Sequence, residues 1–207
     1  MTTDDRDATT AAPPAPGGVR YGTRSPRGYL LRERAAEERH EFWDGDVVAM
    51  AGGSRRHSRL ETNLAGLLFA ALGDGPCHLH AGSLRVGIPS ANAYVYPDLS
   101  VVCGEDVFED DRFDTLLNPA VVLEVLSPGT ERHDRGRKLA AYRTIPSVRE
   151  VVLLAQDAPR AEIHRRAGAA WETEIVAGWD GEVVLRAAGV RLAMAALYRR
   201  VLEGEGG

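Results

Sequence analysis

Hydrophobic and polar positions alternate along the chain in ways that predict four helices. Ser25 and Pro26 are residue types favoured at the start of a helix. Leucine and alanine recur at spacings of three and four before Gly73, and Pro146 ends another helical pattern. The predicted helices are 25–39, 54–72, 129–145 and 191–202.

Strand patterns cover most of the remaining chain. Asp44-Gly45 is a turn pair that favours a hairpin, and Asp180-Gly181 marks another turn. The predicted strand segments are 40–51 (a hairpin), 78–88, 94–102, 119–128, 149–157, 161–167, 171–178 and 182–189, with an acidic loop at 104–118. Helices and strands in this order predict an α/β (α+β) sandwich.

Length and composition favour one folded domain. The chain has 207 residues, of which 44% are hydrophobic. We therefore expect a single domain at 19–207, preceded by a disordered tail at 1–18 that is rich in Thr, Ala, Pro and Asp. No apolar run reaches the roughly 18 residues of a membrane helix, so a membrane partner is not expected. Cys77 and Cys103 lack a CxxC pattern, which argues against a disulfide framework or a zinc ribbon and favours a reducing, cytoplasmic location.

The overall charge does not favour nucleic acid. The net charge is −5 and the pI about 5.7, whereas nucleic-acid-binding domains are usually basic. Any such function would depend on local clusters of arginine, which would either hold phosphates or form a solvated face. These residues are Arg55, Arg56, Arg59, Arg132, Arg135 and Arg137.

Two predicted strands each carry one carboxylate among apolar residues. Glu124 lies in the apolar run 120–126, and Asp98 follows Pro97 at the start of the other strand. The alternatives are a buried salt bridge for Glu124 and a polar strand end for Asp98. Together, two carboxylates on neighbouring strands would suit a magnesium site, because hard divalent cations prefer oxygen ligands.

Lys138 is the only lysine in a chain of 24 arginines. It lies 14 residues after Glu124, in the helix predicted to follow that strand, where Arg135 and Tyr142 share its face. A helix after a strand usually packs back across the sheet, so the amine could reach the carboxylates. A chance position for the lysine is the alternative.

These motifs resemble the PD-(D/E)xK nuclease superfamily, and more specifically the bacterial Uma-two family of putative restriction endonucleases. The similarity runs from about Glu41 to about Arg165. It is most specific in LEVLSP (residues 123–128) followed by DRGRKLAAY (134–142). The resemblance implies a restriction-endonuclease-like mixed sheet flanked by helices, with an extra N-terminal hairpin and C-terminal strands.

The resemblance also implies a set of site residues. Asp98 and Glu124 would bind metal together with the main-chain carbonyl of Val125. Leu126 stands where the wider superfamily has its catalytic lysine, and the family resembled here places a lysine in the next helix, where Lys138 matches. The auxiliary candidates are His57, Glu61, Glu41, Arg135 and Tyr142.

The main hypothesis is a Mg²⁺- or Mn²⁺-dependent endonuclease that hydrolyses DNA, with a homodimer as a plausible way to cut two strands. Two alternatives remain: a non-catalytic binding or scaffold protein on this fold, and a phosphodiesterase acting on RNA or a small nucleotide. His78 and His80 share one strand face near Cys77, but a zinc site there would need further ligands.

Overall fold

The computed structural model describes residues 25–50 and 52–203, so the tail predicted at 1–18 lies outside the described residues. The strands are β1 His40–Trp43, β2 Asp46–Ala49, β3 Cys77–Ala81, β4 Arg85–Ile88, β5 Ala93–Val95, β6 Leu99–Cys103, β7 Thr115–Leu116, β8 Val121–Leu126, β9 Glu150–Ala155, β10 Arg160–Ala167, β11 Ala170–Ala177, β12 Glu182–Leu185 and β13 Val190–Ala193. The α-helices are α1 Pro26–Glu33, α2 Arg55–Leu72, α3 Glu131–His133, α4 Leu139–Thr144 and α5 Met194–Leu197; Pro89–Ala91 is a 3₁₀ turn and Asp134–Lys138 a π-helical turn.

The strands form two large sheets and a small one. A six-stranded sheet has the order β11-β10-β9-β8-β6-β3, in which β8 and β9 are parallel and the other neighbours antiparallel. A five-stranded sheet has the order β2-β1-β5-β4-β7, and β12 pairs with β13. The prediction of an α+β fold with a mixed sheet is confirmed.

The six-stranded sheet is apolar on both faces, because alternate residues of β8 enter different cores. Leu123 and Val125 pack with the leucines of α2, and α5 and the β12–β13 hairpin join this cluster. Val122 and Leu126 pack with α4 and the five-stranded sheet. A strand covered on both faces reads as continuously hydrophobic, so Glu124 needs partners within the protein.

Some local predictions are confirmed. Asp44 and Gly45 both have positive φ, at 48° and 99°, as a tight hairpin turn requires. The Ser25 side chain accepts a hydrogen bond of 3.2 Å from the Gly28 amide and caps α1, in which Pro26 is the first residue.

Several predicted elements differ from the structure. The helix predicted at 25–39 ends at Glu33, and the strand predicted at 94–102 is divided between β5 and β6, which lie in different sheets. The segment 78–88 forms two strands in different sheets, because a turn after Ala81 redirects the chain. The acidic segment 104–118 contributes β7, and the helix at 129–145 is interrupted by the π turn. The closing helix at 191–202 is wrong in its first part, since β13 occupies Val190–Ala193 and only one helical turn follows.

The expectation about the cysteines is also wrong. Cys77 and Cys103 face each other across the antiparallel β3–β6 pair and form a disulfide. The spacing of the two cysteines in the sequence did not reveal this bond. The cysteines are 26 residues apart, and only the pairing of their strands brings the sulfurs together. Among the described residues, no helix is long and apolar enough to cross a membrane.

Candidate active site

The register of β6 and β8 brings the two predicted carboxylates together. Leu99 pairs with Leu123 and Ser100 with Val122, so Asp98 is opposite Glu124 one step beyond the last pair. Residues directly opposite each other in an antiparallel pair point to the same face, which places both acids on one side of the sheet. The structure therefore juxtaposes the acids that the sequence predicted.

Asp98 is fixed by two neighbours. The amide of Val125 donates a hydrogen bond of 2.6 Å to Asp98 Oδ2, and His57 Nε2 lies 3.3 Å from the same oxygen. The hydrogen bond with Asp98 raises the pKa of His57, although burial opposes the increase. The Val125 backbone, whose carbonyl was the third predicted ligand, thus lies beside Asp98.

A histidine and two acids converge at the N-terminal end of α2. Glu61 lies one turn after His57, with 3.9 Å between its Oε2 and His57 Nδ1. The ligand atoms of His57, Glu61 and Asp98 all lie within 4.8 Å of one another. Burial and the nearby Asp98 raise the pKa of Glu61. This excess of acidic groups is the arrangement that a cation would stabilise.

Glu124 is 3% exposed and is hydrogen-bonded on one oxygen. Its Oε1 accepts a hydrogen bond from the Tyr142 hydroxyl at 2.6 Å and lies 2.9 Å from Lys138 Nζ. Burial raises the pKa of Glu124 to about 8; Lys138 opposes this increase and Asp98 adds to it. Protonation of Glu124 therefore competes with any cation that it binds.

Lys138 is buried between acids from three elements. Its Nζ lies 2.9 Å from Glu124, 3.1 Å from Glu41 Oε1 and 3.8 Å from Asp134 Oδ1. Burial alone would lower its pKa, but Glu124 and Glu41 raise it well above the ordinary value. The amine is therefore held as an ammonium ion and cannot serve as a base.

Glu41 links the five-stranded sheet to this cluster. Its Oε2 accepts a hydrogen bond of 3.0 Å from the Trp43 indole, and its Oε1 accepts one of 3.3 Å from the Tyr96 amide. Burial opposes ionisation, yet Lys138 and His133 lower the pKa of Glu41 to about 2. Glu41 is thus the fixed negative partner of the lysine.

Sequence reasoning missed two members of the cluster. Asp134 and His133 lie on either side of the junction between α3 and the π turn, and His133 Nε2 is 3.7 Å from Glu41 Oε2. Burial raises the pKa of Asp134. The only signal for Asp134 was its position four residues before Lys138 on a predicted helix.

Arg135 pairs with two acids outside the cluster around Lys138. Its guanidinium contacts Glu131 at 2.7 Å and also pairs with Glu162. The neighbouring Arg137 stacks on the Trp43 ring at 4.8 Å. These arginines are therefore bound within the protein.

A separate cleft of about 610 Å³ between α2 and the C-terminal segment is lined by Arg55, Ser58, Arg59, Thr62, Asn63, Arg199 and Arg200.

Comparison with known proteins finds relatives that match most of the chain. A family described as Uma2, "Putative restriction endonuclease", matches residues 27–195. The uncharacterized protein sll1609 of Synechocystis sp. (strain PCC 6803) is 36% identical over 140 residues, covering 68% of this chain and 79% of that protein. A second uncharacterized protein of that organism, slr1290, is 34% identical over 142 residues, covering 69% of this chain and 74% of that protein.

A solved structure shares the fold at lower sequence identity. It is described as a putative nuclease belonging to DUF820 from Anabaena variabilis ATCC 29413. The TM-score is 0.69 at 16% identity, and the alignment covers 84% of this chain and 97% of the other. This likeness concerns the fold alone. The match of the family model over residues 27–195 shows that the chain belongs to the Uma2 family, described as putative restriction endonucleases.

Proposed function

We propose that this protein is a divalent-metal-dependent endonuclease that hydrolyses DNA phosphodiester bonds. The observation that carries the proposal is the pair Asp98 and Glu124, juxtaposed by strand register and backed by the buried Lys138. Membership of a family described as restriction endonucleases supports the reaction class.

The donor set fits Mg²⁺ or Mn²⁺. Asp98 and Glu124 offer carboxylate oxygens, and the Val125 carbonyl is a third oxygen on the same strand end. On Glu124 the two contacts fall on Oε1, so Oε2 is the oxygen that a cation would take. His57 and Glu61 lie beside Asp98 and would orient it or a bound water. When bound, the cation would polarise the phosphate and make a nearby water more acidic.

Lys138 acts through Glu124 in this mechanism. Its ammonium favours the ionised carboxylate, which burial alone would keep protonated at neutral pH. Tyr142 donates to the same oxygen and fixes the orientation of the carboxylate. Lys138 is thus a positioning residue that lowers the cost of ionising Glu124 when a cation binds and helps to direct the carboxylate, and its buried position excludes a role as a general base.

The test measures cleavage of supercoiled plasmid DNA with Mg²⁺ or Mn²⁺ by the wild type and by Asp98→Asn, Glu124→Gln and Lys138→Met. We expect both carboxylate variants to lose about 100-fold or more in rate, because they remove metal ligands. Lys138→Met should shift the increase of activity with pH to higher pH, because the pKa of Glu124, about 8 in the wild type, rises further without the ammonium. Glu182→Gln, which alters an exposed ion pair with Arg191, is the matched control.

A folded wild type that cleaves neither plasmid, RNA nor a phosphodiester of a small nucleotide would overturn the proposal. Cleavage by Asp98→Asn at the wild-type rate would refute the assignment of the site. Cutting two strands calls for two such sites, and a homodimer would provide them; analytical ultracentrifugation of the active protein tests that arrangement.

A further inference from the structure

A second group of metal-binding side chains lies at the edge of the six-stranded sheet. His78 and His80 alternate along β3 and therefore point to the same face. Their rings meet edge to face, with centroids 5.1 Å apart. Two imidazoles at this spacing on one strand are already two convergent nitrogen ligands.

Asp106 supplies the third group from the segment that follows β6. Its Oδ1 lies 2.8 Å from His78 Nε2 and 2.9 Å from His80 Nε2. The three ligand atoms all lie within 4.8 Å of one another. One carboxylate oxygen thus accepts hydrogen bonds from two rings. A cation can take the place of the two ring protons between the nitrogens and this oxygen.

The backbone around Asp106 is held in place by a single side chain. Asn118 accepts a hydrogen bond of 2.8 Å from the Val107 amide and donates one of 2.9 Å to the Glu105 carbonyl. Both chain neighbours of Asp106 are therefore anchored by the same amide. The ligand position does not depend on the two histidines alone.

The contact distances are close to those of a coordination sphere. Bonds of about 2.0–2.2 Å in a tetrahedral site separate the ligand atoms by roughly 3.3–3.6 Å. The two nitrogen–oxygen contacts would therefore have to open by roughly 0.4–0.8 Å, which small side-chain rotations provide. His78 is 44% exposed at its side chain, so a cation can enter from solvent.

We infer that His78, His80 and Asp106 form a transition-metal site that takes Zn²⁺ or Co²⁺ in preference to Mg²⁺. Two imidazoles and one carboxylate suit borderline metals, whereas magnesium prefers oxygen ligands alone. Water would complete the coordination. A bound ion would tie the segment after β6 to the edge strand β3, independently of the nuclease reaction.

The two candidate metal sites must be separated in the test, because His57 gives the other site an imidazole as well. The groups share no residue, so Asp98→Asn disables one and leaves the other intact. The experiment titrates Co²⁺ into untagged Asp98→Asn protein and follows visible absorption, with Zn²⁺ as competitor. We expect one equivalent of Co²⁺, displaced by Zn²⁺.

Adding His80→Gln or Asp106→Asn to this protein should weaken Co²⁺ binding at least about tenfold, since each removes one of three ligands. His40→Gln is the matched control, because His40 also contacts a carboxylate, Glu33 at 3.1 Å, but in a pair without a second histidine. Folding of each variant is checked by thermal unfolding. Absence of Co²⁺ binding by folded Asp98→Asn protein, or unchanged binding after either ligand substitution, would overturn the inference.

Discussion

At the scale of single residues, the candidate site depends on one buried cation among several acids. Lys138 contacts Glu41 and Glu124, and both contacts are shielded from solvent. Removing one partner of a buried ion pair is costly, because the remaining charge loses its solvation and its counterion together. Because of this cost, the contribution of Lys138 to stability can be measured without any substrate.

Lys138→Met should reduce the free energy of unfolding by about 3–5 kcal/mol at high pH. The loss should be smaller at pH 6 than at pH 9. The raised pKa of Glu124, about 8, means that the folded state gains from a protonated Glu124 at low pH and loses this gain as pH rises through that value. Without Lys138 that pKa is higher still. Urea unfolding at both pH values measures the difference.

The paired substitution Lys138→Met with Glu124→Gln serves as the control for this prediction. It removes the charge of Glu124 and leaves that of Glu41, so it should be more stable than Lys138→Met at pH 9 and show less dependence on pH. Equal loss at both pH values in the single variant would show that Glu124 stays neutral beside the lysine.

At the scale of elements, the disulfide fixes the edge of the six-stranded sheet. β3 is the terminal strand, and among the described residues its neighbour in the sheet is β6. The Cys77–Cys103 bond joins these strands at the opposite end from Asp98. The cross-link therefore supports the strand that carries His78 and His80.

Reduction should lower stability by an amount set by the closed loop. For cysteines 26 residues apart, the chain-entropy estimate is roughly 3.5 kcal/mol. Urea unfolding of the wild type with and without dithiothreitol measures the loss. Cys103→Ser alters an exposed position and abolishes the bond, so the reductant should leave its midpoint unchanged. If dithiothreitol shifts neither protein, the cross-link contributes nothing to stability.

The strands and helices that carry the site residues determine which of these residues the sequence could predict. Asp98 and Glu124 were identifiable because a carboxylate in a buried strand requires a partner. Lys138 was identifiable because it is the only lysine. Asp106 was not, since its partner His78 lies 28 residues away and only the folded chain brings them together. Asp134 lies only four residues before Lys138, but that spacing alone did not place it in the buried cluster. The π turn could not be inferred from a pattern that reads as continuous helix.

At the scale of the whole molecule, the acidic balance contrasts with a local concentration of arginine. The net charge is −5, yet Arg55, Arg59, Arg199 and Arg200 line one cleft beside α2. The same helix presents His57 to Asp98. A long polyanion would therefore have to bind along this side, because the overall charge does not attract it.

DNA cleavage should accordingly weaken as salt increases, while hydrolysis of a mononucleotide ester should change little. Each phosphate contact adds roughly −0.9 to the slope of log affinity against log salt for duplex DNA. Arg199→Ala should reduce this slope by about one. The exposed Arg191, paired with Glu182, gives the control Arg191→Ala. Equal salt dependence for both substrates would favour a small nucleotide as the natural substrate.

The π turn at Asp134–Lys138 is a place where the chain can lose one residue without rotating the segments on either side. A π turn holds one residue more than an α-helical path of the same pitch. Deleting Gly136, whose position leaves open space around it, would therefore close the turn to a regular α-helix and leave His133 and Asp134 on nearly the same helical face. A deletion within the regular turns of α4 would instead rotate Lys138 by roughly 100° relative to the residues that follow and carry it away from Glu124. Members of the family that are one residue shorter at the π turn should thus keep the ion cluster, whereas members shortened within α4 should lose it.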